Sequence, residues 1–320
     1  MPESVAHALL ETDRRDAVER ALEWAGRPNH RILTLADEDY PRQLLEIADP
    51  APLLYVIGDT ALLSRRGVAI VGSRNASAQG EANAAQFAEA LSRAGLSVLS
   101  GLALGVDAAA HRGGLAGEGS TVAVMGTGAD ILYPKKNVPL AADIAHRGAL
   151  VTEFPLGTPP MAGNFPRRNR LISGLARGVL VVEAALASGS LITARLAAEQ
   201  GREVFAIPGS IHSPLARGCH ALIRQGAKLV ESAEDVLEEL RGAGAPPPTA
   251  ISPATIADSG THTSGSDAPL LQYMGYDAFD MDTLAQRSGL TAEALSAMLL
   301  ELELEGKVAR IPGGRYQRVG

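Results

Sequence analysis

The chain has 320 residues, of which 46% are hydrophobic and 20% are charged, and its formal net charge is −7. This composition excludes a disordered chain, and the acidic total excludes a surface that attracts nucleic acid over its whole extent. A single cysteine excludes an intrachain disulfide, and no apolar run reaches the roughly 20 residues that span a bilayer, so we expect a cytoplasmic globular protein without a cysteine-based metal site.

Residues 1–60 are predicted to form a helical adaptor that leads into a larger domain. The first residues, MPESVAHALLETDRRD, lack the charged and apolar regions of a secretory leader. A helix is predicted over residues 16–24. After it, short apolar runs alternate with Pro41, Pro50 and Pro52, which favours a connecting segment.

Residues 61–240 show the alternation that predicts an α/β core. Six apolar runs read as buried strands, namely GVAIVG, LSVLSG, STVAVMG, ALVTEF, GVLVVEA and REVFAIPG. Helical segments lie between them, and Gly95 and Gly201 stand where helices should end. Strands that alternate with helices indicate βαβ units, so we expect a Rossmann-like, doubly wound parallel sheet.

A linker and a small domain follow the predicted core. Residues 241–268 are rich in Pro, Ala, Ser, Thr and Gly, which is typical of a flexible linker. Residues 269–320 predict a helix, a short helix, a turn at Gly289, a longer helix N-capped by Thr291, and two strands, which is the order of a winged helix. The longer helix carries four glutamates and no base-reading side chain, so a protein contact is favoured over DNA readout.

Ligands of open parallel sheets bind at the carboxyl ends of the strands. The first core strand is followed by GSRNAS and the third by GTGADI, and neither completes the G-x-G-x-x-G fingerprint, so no dinucleotide cofactor is expected. Arg74, beside Gly72 and Ser73, is interpreted as an anion-binding residue, with a surface ion pair as the alternative. Ser188 opens SGSLIT, whose hydroxyls suit either a phosphate or ordinary helix N-capping.

The strongest local positive charge lies in NFPRRNRLISGLARGVLVVE, residues 164–183. No acidic residue occurs from position 154 to position 182. The four arginines of this stretch are Arg167, Arg168, Arg170 and Arg177. A helix is predicted over residues 171–176, with the basic run as a turn ahead of it. An aromatic ring beside guanidinium groups is a means of holding single-stranded nucleic acid, so Phe165, unless it is a core residue, would stack on a base. The four arginines are expected to form one groove, and Glu183 is expected to pair with Arg168 or Arg170.

Nucleophilic catalysis is disfavoured, because the histidines are scattered and no G-x-S-x-G elbow occurs. His111 is interpreted as a structural hydrogen-bonding residue. The residues therefore give no support to a nucleophilic mechanism.

Several long motifs, in unbroken order, resemble the DNA-processing protein A family, also called Smf. They are VAIVGSRNAS, VLSGLALGVDAAAH, TVAVMGTGADILYPKKN and NFPRRNRLISGLARGVLVVEAALASGSLITARLAAEQ. The resemblance covers roughly residues 30–240, and the linker and winged helix match the usual extension of the family.

This resemblance implies a homodimeric, cytoplasmic protein that binds single-stranded DNA without strong sequence preference and is not an enzyme. It also implies that the protein helps load the RecA recombinase onto incoming DNA in natural transformation. Carried onto this sequence, the DNA pocket of the family falls on Gly72, Ser73, Arg74, Phe165, Arg168, Asn169 and Arg170. The segment GCHALIRQGAKLV, with His220 and Leu229, resembles the dimer contact.

The chain departs from the family pattern in two places. Many members carry a full N-terminal domain of the sterile-alpha-motif type, which is expected to be truncated or absent here. Some carry a lysine just before FPxRNR, where this chain has PPMAGN, so the charge must come from Lys135, Lys136 or Arg167.

Two other classes of function remain open. A nucleotide phosphoribohydrolase would need a P-G-G-x-G-T-x-x-E signature, but SGSLITARLAAE lacks the P-G-G opening and places Glu199 a turn too far along. A protein-interaction module is the third class, if the winged helix acts alone.

Overall fold

The computed structural model describes residues 15–211, 213–241, 270, 274 and 278–319. The predicted linker, from residue 242 onward, lies outside the described residues, and so does most of the first helix predicted after it. Within the described part of the chain, no helix is long and apolar enough to cross a membrane.

Nine strands form the main sheet, and helices flank it. The strands are His30–Thr34 (β1), Leu53–Gly58 (β2), Gly67–Val71 (β3), Ser97–Ser100 (β4), Thr121–Val124 (β5), Ala149–Thr152 (β6), Gly178–Val181 (β7), Glu203–Ala206 (β8) and Lys228–Leu229 (β9). The helices are Arg15–Ala25 (α1), Arg42–Leu45 (α2), Ala61–Ser64 (α3), Ala78–Arg93 (α4), Val106–Gly114 (α5), Val138–Arg147 (α6), Asn164–Leu175 (α7), Ser190–Glu199 (α8), Arg217–Arg224 (α9) and Ala233–Arg241 (α10).

The strand order is β1-β2-β6-β5-β4-β3-β7-β8-β9, and the strands from β6 to β9 in this order are parallel. From β3 the chain proceeds through β4 and β5 to β6, and it then returns to β7 on the other side of β3. The crevice at the carboxyl ends of β3 and β7 is therefore the point at which the strand order reverses, where such folds bind ligands. The predicted doubly wound α/β fold is confirmed.

Both faces of the parallel strands are buried, which explains their continuous apolar sequences. Along β3, Val68 and Ile70 belong to the core on the side of α4 and α5. Ala69 and Val71 belong to the core on the other side, with residues of α7 and α8. The positive φ angles of Gly95 and Gly201 confirm that these glycines end helices.

The N-terminal region is more closely joined to the core than the sequence indicates. The helix predicted over residues 16–24 is present as α1. Strand β2 then pairs antiparallel with β6, and β1 pairs antiparallel with β2, so residues 30–58 extend the core sheet. The prolines that indicated a connecting segment lie outside these two strands, and the domain boundary after residue 60 stays a prediction.

The basic run also differs from its prediction. The helix expected over residues 171–176 begins at Asn164, so the arginines of the run lie within α7 and not in a turn ahead of it. Pro166 is tolerated because it lies in the first turn, where a backbone N–H has no intrahelical acceptor.

The described C-terminal residues form a small domain with the predicted order. Its elements are Ala278–Phe279 (β10), Met281–Ser288 (α11), Ala292–Leu304 (α12), Val308–Ile311 (β11) and Arg315–Arg318 (β12). Gly289 is left-handed after α11, and the Thr291 hydroxyl accepts a hydrogen bond from the N–H of Ala294 at the start of α12. The winged helix is confirmed, with β10 as an additional short strand.

Candidate nucleic-acid interface

A groove of about 600 Å³ lies at the carboxyl ends of β3 and β7. Seven of the nine residues predicted to bind DNA line it, namely Gly72, Ser73, Arg74, Phe165, Arg168, Asn169 and Ser188. They come from the β3–α4 loop, from α7 and from the β7–α8 loop, which the sheet topology brings together at one edge. Arg167 and Arg170 do not line this groove, although they belong to the same helix.

Backbone contacts hold the first loop close to β7. The N–H of Ser73 donates to the carbonyl of Glu183 at 2.7 Å. A Cβ added to Gly72 would lie 2.7 Å from Val106 and 2.9 Å from that same carbonyl oxygen. Glycine is therefore needed at position 72 for the loop to approach β7, and this approach places Arg74 at the groove.

Arg74 carries an exposed guanidinium group. The group lies 5.6 Å from the centroid of the Phe165 ring, over its face. Within the described residues, Arg74 has no carboxylate at ion-pair distance, so its charge is available to a ligand. The predicted alternative, a surface ion pair, is therefore absent among these residues.

Phe165 is held at the mouth of the groove and is not a core residue. Its ring is half-buried and packs on the backbone of Gly126, where an added Cβ would lie 2.8 Å from a ring carbon. The Tyr133 ring lies 5.8 Å away between centroids, tilted by 42°. Tyr133 was not predicted as a site residue. The one signal for it in the sequence is an aromatic residue in the stretch that follows the third core strand.

Arg168 lines the groove but is only 5% exposed. Its Nη1 donates to the carbonyls of Gly101, at 2.7 Å, and Val124. A Cβ at Gly101 would lie 2.6 Å from the guanidinium nitrogens, so the glycine makes room for this side chain. Burial lowers the pKa of Arg168 to about 10, although the nearby Asp107 opposes this change. The side chain therefore ties α7 to the ends of β4 and β5.

Two further buried polar groups surround Arg168. Asp107 accepts hydrogen bonds from the N–H groups of Gly101 and Ala103, and burial raises its pKa, against the effect of Arg168. His111 accepts a hydrogen bond from the N–H of Leu102, and its other ring nitrogen lies 2.7 Å from the Thr121 hydroxyl. Burial, with Arg168 as a lesser cause, lowers the pKa of His111 to about 3, so this histidine is a neutral structural residue, as predicted.

Arg170 is bound by two carboxylates on the other side of α7. It donates to both oxygens of Glu153 at 2.8 Å and to Asp49 at 2.9 Å. Arg167 is exposed but also lies 3.2 Å from Glu153, whose side chain is 3% exposed. Since Asp49 lies between β1 and β2, this cluster joins the N-terminal region to α7.

Two expectations about charge are wrong. Glu183 pairs with neither Arg168 nor Arg170; its carboxylate accepts hydrogen bonds from the N–H and the hydroxyl of Ser77, at the start of α4. Arg177 directly precedes β7 and thus lies at the amino edge of the sheet, opposite the groove. Arg167, Arg168, Arg170 and Arg177 therefore do not form one groove.

Ser188 is not the N-cap of α8, because that position is held by Gly189, which makes no side-chain capping bond. The Ser188 hydroxyl accepts a hydrogen bond from the N–H of Ser190 at 3.3 Å and lies 2.7 Å from the Ser190 hydroxyl. The predicted phosphate contact of Ser188 stays a prediction.

The two residues expected at a dimer contact, His220 and Leu229, do not line the groove. Leu229 is on the edge strand β9 and is 44% exposed. His220 is on α9, and its Nε2 lies 2.9 Å from the carbonyl oxygen of Gly209.

Comparisons with known proteins identify the family. Residues 31–241 match the family model described as DNA recombination-mediator protein A, and residues 245–314 match the DprA winged helix domain. Protein Smf of Escherichia coli is 44% identical over 301 residues, which cover 94% of this chain and 80% of that protein. DNA processing protein DprA of Streptococcus pneumoniae is 48% identical over 206 residues, which cover 64% of this chain and 73% of that protein.

Two solved structures support the same assignment. The crystal structure of the Streptococcus pneumoniae protein matches with a TM-score of 0.66 and 43% identity, over 72% of this chain and 79% of that one. A DNA processing protein A from Helicobacter pylori, described with its single-stranded DNA binding mode, matches with a TM-score of 0.60 and 30% identity, over 65% of this chain and 95% of that one. The chain therefore belongs to the DNA-processing protein A family of recombination mediators.

Proposed function

We propose that this protein binds single-stranded DNA in the groove at the carboxyl ends of β3 and β7, without strong sequence preference. The observation that carries the proposal is the Arg74 guanidinium, exposed and over the face of the Phe165 ring. A cation for phosphates beside an aromatic face for bases is the combination that binds single strands of any sequence. The single-stranded DNA binding described for the Helicobacter pylori relative supports it.

The phosphate path is proposed to run from Arg74 towards Lys135 and Lys136. Where some relatives carry a lysine before the FPxRNR motif, this chain has PPMAGN. Both lysines are exposed, and neither forms an ion pair with any residue that the structure describes. They are proposed to supply the charge that this segment lacks, whereas Arg167 and Arg170 are bound by Glu153.

We infer that the protein is not an enzyme. Asp107 is the single carboxylate among the residues that line the groove, and it is bound to two backbone N–H groups beside Arg168. Glu199, at the end of α8, is not among the lining residues. No free general acid or base therefore faces the groove, and release of ribose phosphate from nucleoside monophosphates would contradict this inference.

The recombination role is proposed to be the loading of RecA onto incoming single-stranded DNA in the cytoplasm during natural transformation. The family description, a recombination mediator, supports this role. Loading requires that the protein hold the strand, so a variant that loses single-stranded DNA is expected to lose stimulation of RecA filament formation as well.

The core alone is expected to bind single-stranded DNA. A chain that ends at residue 241 keeps every residue that lines the groove, whereas the C-terminal domain presents an acidic helix α12 with exposed Leu300 and Leu304. We propose a protein contact for that helix. Fluorescence anisotropy over a salt series measures the affinity of the full and the shortened chain for a labelled oligonucleotide. Each chain is titrated with the single-stranded and with the duplex form.

We expect the full and the shortened chain to bind the single strand with equal affinity. Both chains are expected to bind the duplex more weakly than the single strand. Loss of single-strand binding on removal of residues 242–320 would instead assign DNA binding to the winged helix. The isolated C-terminal residues, titrated with the same oligonucleotides, provide the matched control.

A homodimer through the region of His220 and Leu229 is proposed from the family resemblance. An exposed leucine on an edge strand is compatible with such a contact, because edge strands and apolar patches favour association. Leu229→Arg is expected to give a folded monomer in analytical ultracentrifugation, since a charge replaces apolar contact area. A monomeric wild-type protein at micromolar concentration would refute the dimer.

A further inference from the structure

Two neighbouring aromatic rings differ in their surroundings: Phe165 lines the groove, and Tyr133, beside it, is not among the lining residues. Phe165 is half-buried, with the backbone of Gly126 against its edge, Arg74 over its face and Tyr133 beside it. Tyr133 is 45% exposed. The ring with the larger accessible surface is therefore the one that the sequence did not indicate.

Tyr133 belongs to a loop whose backbone is fixed. The loop leads from β5 to the start of α6, and the Thr127 hydroxyl donates to the carbonyl of Ile131 at 2.5 Å. At its end, the Asn137 amide donates to the carbonyls of Leu102 and Ala103, at 2.9 and 3.0 Å. These bonds fix the backbone on both sides of Tyr133, and the Phe165 ring lies against its side chain, so less backbone freedom is lost when a ligand stacks there.

The tyrosine hydroxyl does not account for the position of the ring. Within the described residues it has no hydrogen-bond partner, although Tyr and Trp side chains that serve a buried structural role usually have one. The exposed aromatic face is thus the property that the position offers. Lys135 and Lys136 follow it after Pro134, so a phosphate backbone held by these lysines would pass beside the ring.

We propose that Tyr133 is a base-stacking residue of the groove and that Phe165 braces it. This inference rests on the proposed single-stranded DNA binding and assigns the ligand of the Tyr133 face, a nucleobase of any identity. Phosphates lie on the Arg74 side, and a base that turns out from the groove packs on the tyrosine ring. The phenol hydroxyl takes no part in this contact.

The test compares two oligonucleotides that differ only in their bases. One is a thymidine oligonucleotide of roughly 16 nucleotides, within the range of known single-strand sites, and the other has the same phosphates with abasic sugars. Tyr133→Leu keeps apolar bulk against Phe165 but removes the aromatic face. It is expected to weaken binding of the thymidine oligonucleotide about fivefold or more, with unchanged affinity for the abasic one.

The salt slope and the variant Tyr133→Phe serve as controls. Stacking releases no counterions, so Tyr133→Leu should keep the wild-type dependence of log affinity on log salt concentration. Tyr133→Phe should bind both oligonucleotides like the wild type. A thermal unfolding midpoint equal to that of the wild type verifies that each variant is folded.

Each other outcome overturns the proposal in a recognisable way. Equal weakening of both oligonucleotides by Tyr133→Leu would assign Tyr133 a purely structural role, and unchanged binding of both would place the bases elsewhere, although DNA binding itself would stand. A wild-type chain that binds neither oligonucleotide would refute the proposed function, and the stacking role with it.

Discussion

Arg74→Ala is expected to cause the largest loss of single-stranded DNA affinity of any single substitution in the groove. Its guanidinium is the one groove-lining cation that is exposed and has no carboxylate partner among the described residues. Each phosphate contact that is lost should reduce the slope of log affinity against log salt concentration by about 0.7 for single strands. Titration at several salt concentrations measures both effects, and the proposed stimulation of RecA filament formation should be lost in parallel.

Arg177→Ala is the matched control for this change. Arg177 is an exposed arginine of the same chain, but it lies at the opposite edge of the sheet, so its removal should leave the affinity and the salt slope unchanged. Arg74→Lys should recover part of the affinity, because lysine restores the charge but not the planar fork of donors. An Arg74→Ala chain with the wild-type salt slope would show that no phosphate contacts this side chain.

Arg168→Ala is expected to destabilise the fold and to leave the salt slope unchanged. The substitution removes the partner of two buried carbonyls, those of Gly101 and Val124, and leaves the buried Asp107 without its nearby positive charge. Removal of one partner from a buried charged network costs about 3 kcal/mol or more. Urea unfolding followed by circular dichroism measures the free energy of unfolding.

The outcome separates a positioning role of Arg168 from a direct contact. A folded Arg168→Ala chain, assayed at low temperature, should bind less DNA through the displacement of Phe165 and Asn169, with the slope of the wild type. Unchanged stability together with a reduced slope would make Arg168 a phosphate ligand instead. Arg177→Ala again serves as control, since an exposed arginine without a described side-chain partner should change stability by less than about 0.5 kcal/mol.

The order of the core elements, and the edge of the sheet at which the groove lies, could be predicted from the sequence. Continuous apolar runs, with helical segments between them, predict a parallel sheet because its strands are buried on both faces. Glycines at positions 95 and 201 mark helix ends, because they adopt left-handed backbone angles at little cost. Parallel strands have their carboxyl ends at the same edge of the sheet, so the polar stretches that follow them lie close together. Gly72, Arg74 and Phe165 line the groove at this edge.

Local sequence did not determine the extent of the sheet. Strands β1 and β2 are short, and prolines lie between them, so the local pattern is that of a connecting segment. Their identity as strands depends on hydrogen bonds from β2 to β6, about a hundred residues later in the chain. Pairing over such a distance leaves no periodic signal in a segment of five or six residues.

Which arginines are free to bind a ligand depends on contacts between residues that are distant in the sequence. A helix turns by about 100° per residue, so adjacent arginines of α7 face different neighbours. Arg168 enters the core beside Gly101, whereas Arg170 meets Glu153 and Asp49, an acid 121 positions away in the sequence. Charge density along the chain predicts a cationic site, but it does not show which cations are paired with buried partners. Of the two arginines that line the groove, Arg168 is buried and Arg74 keeps an exposed, unpaired charge among the described residues.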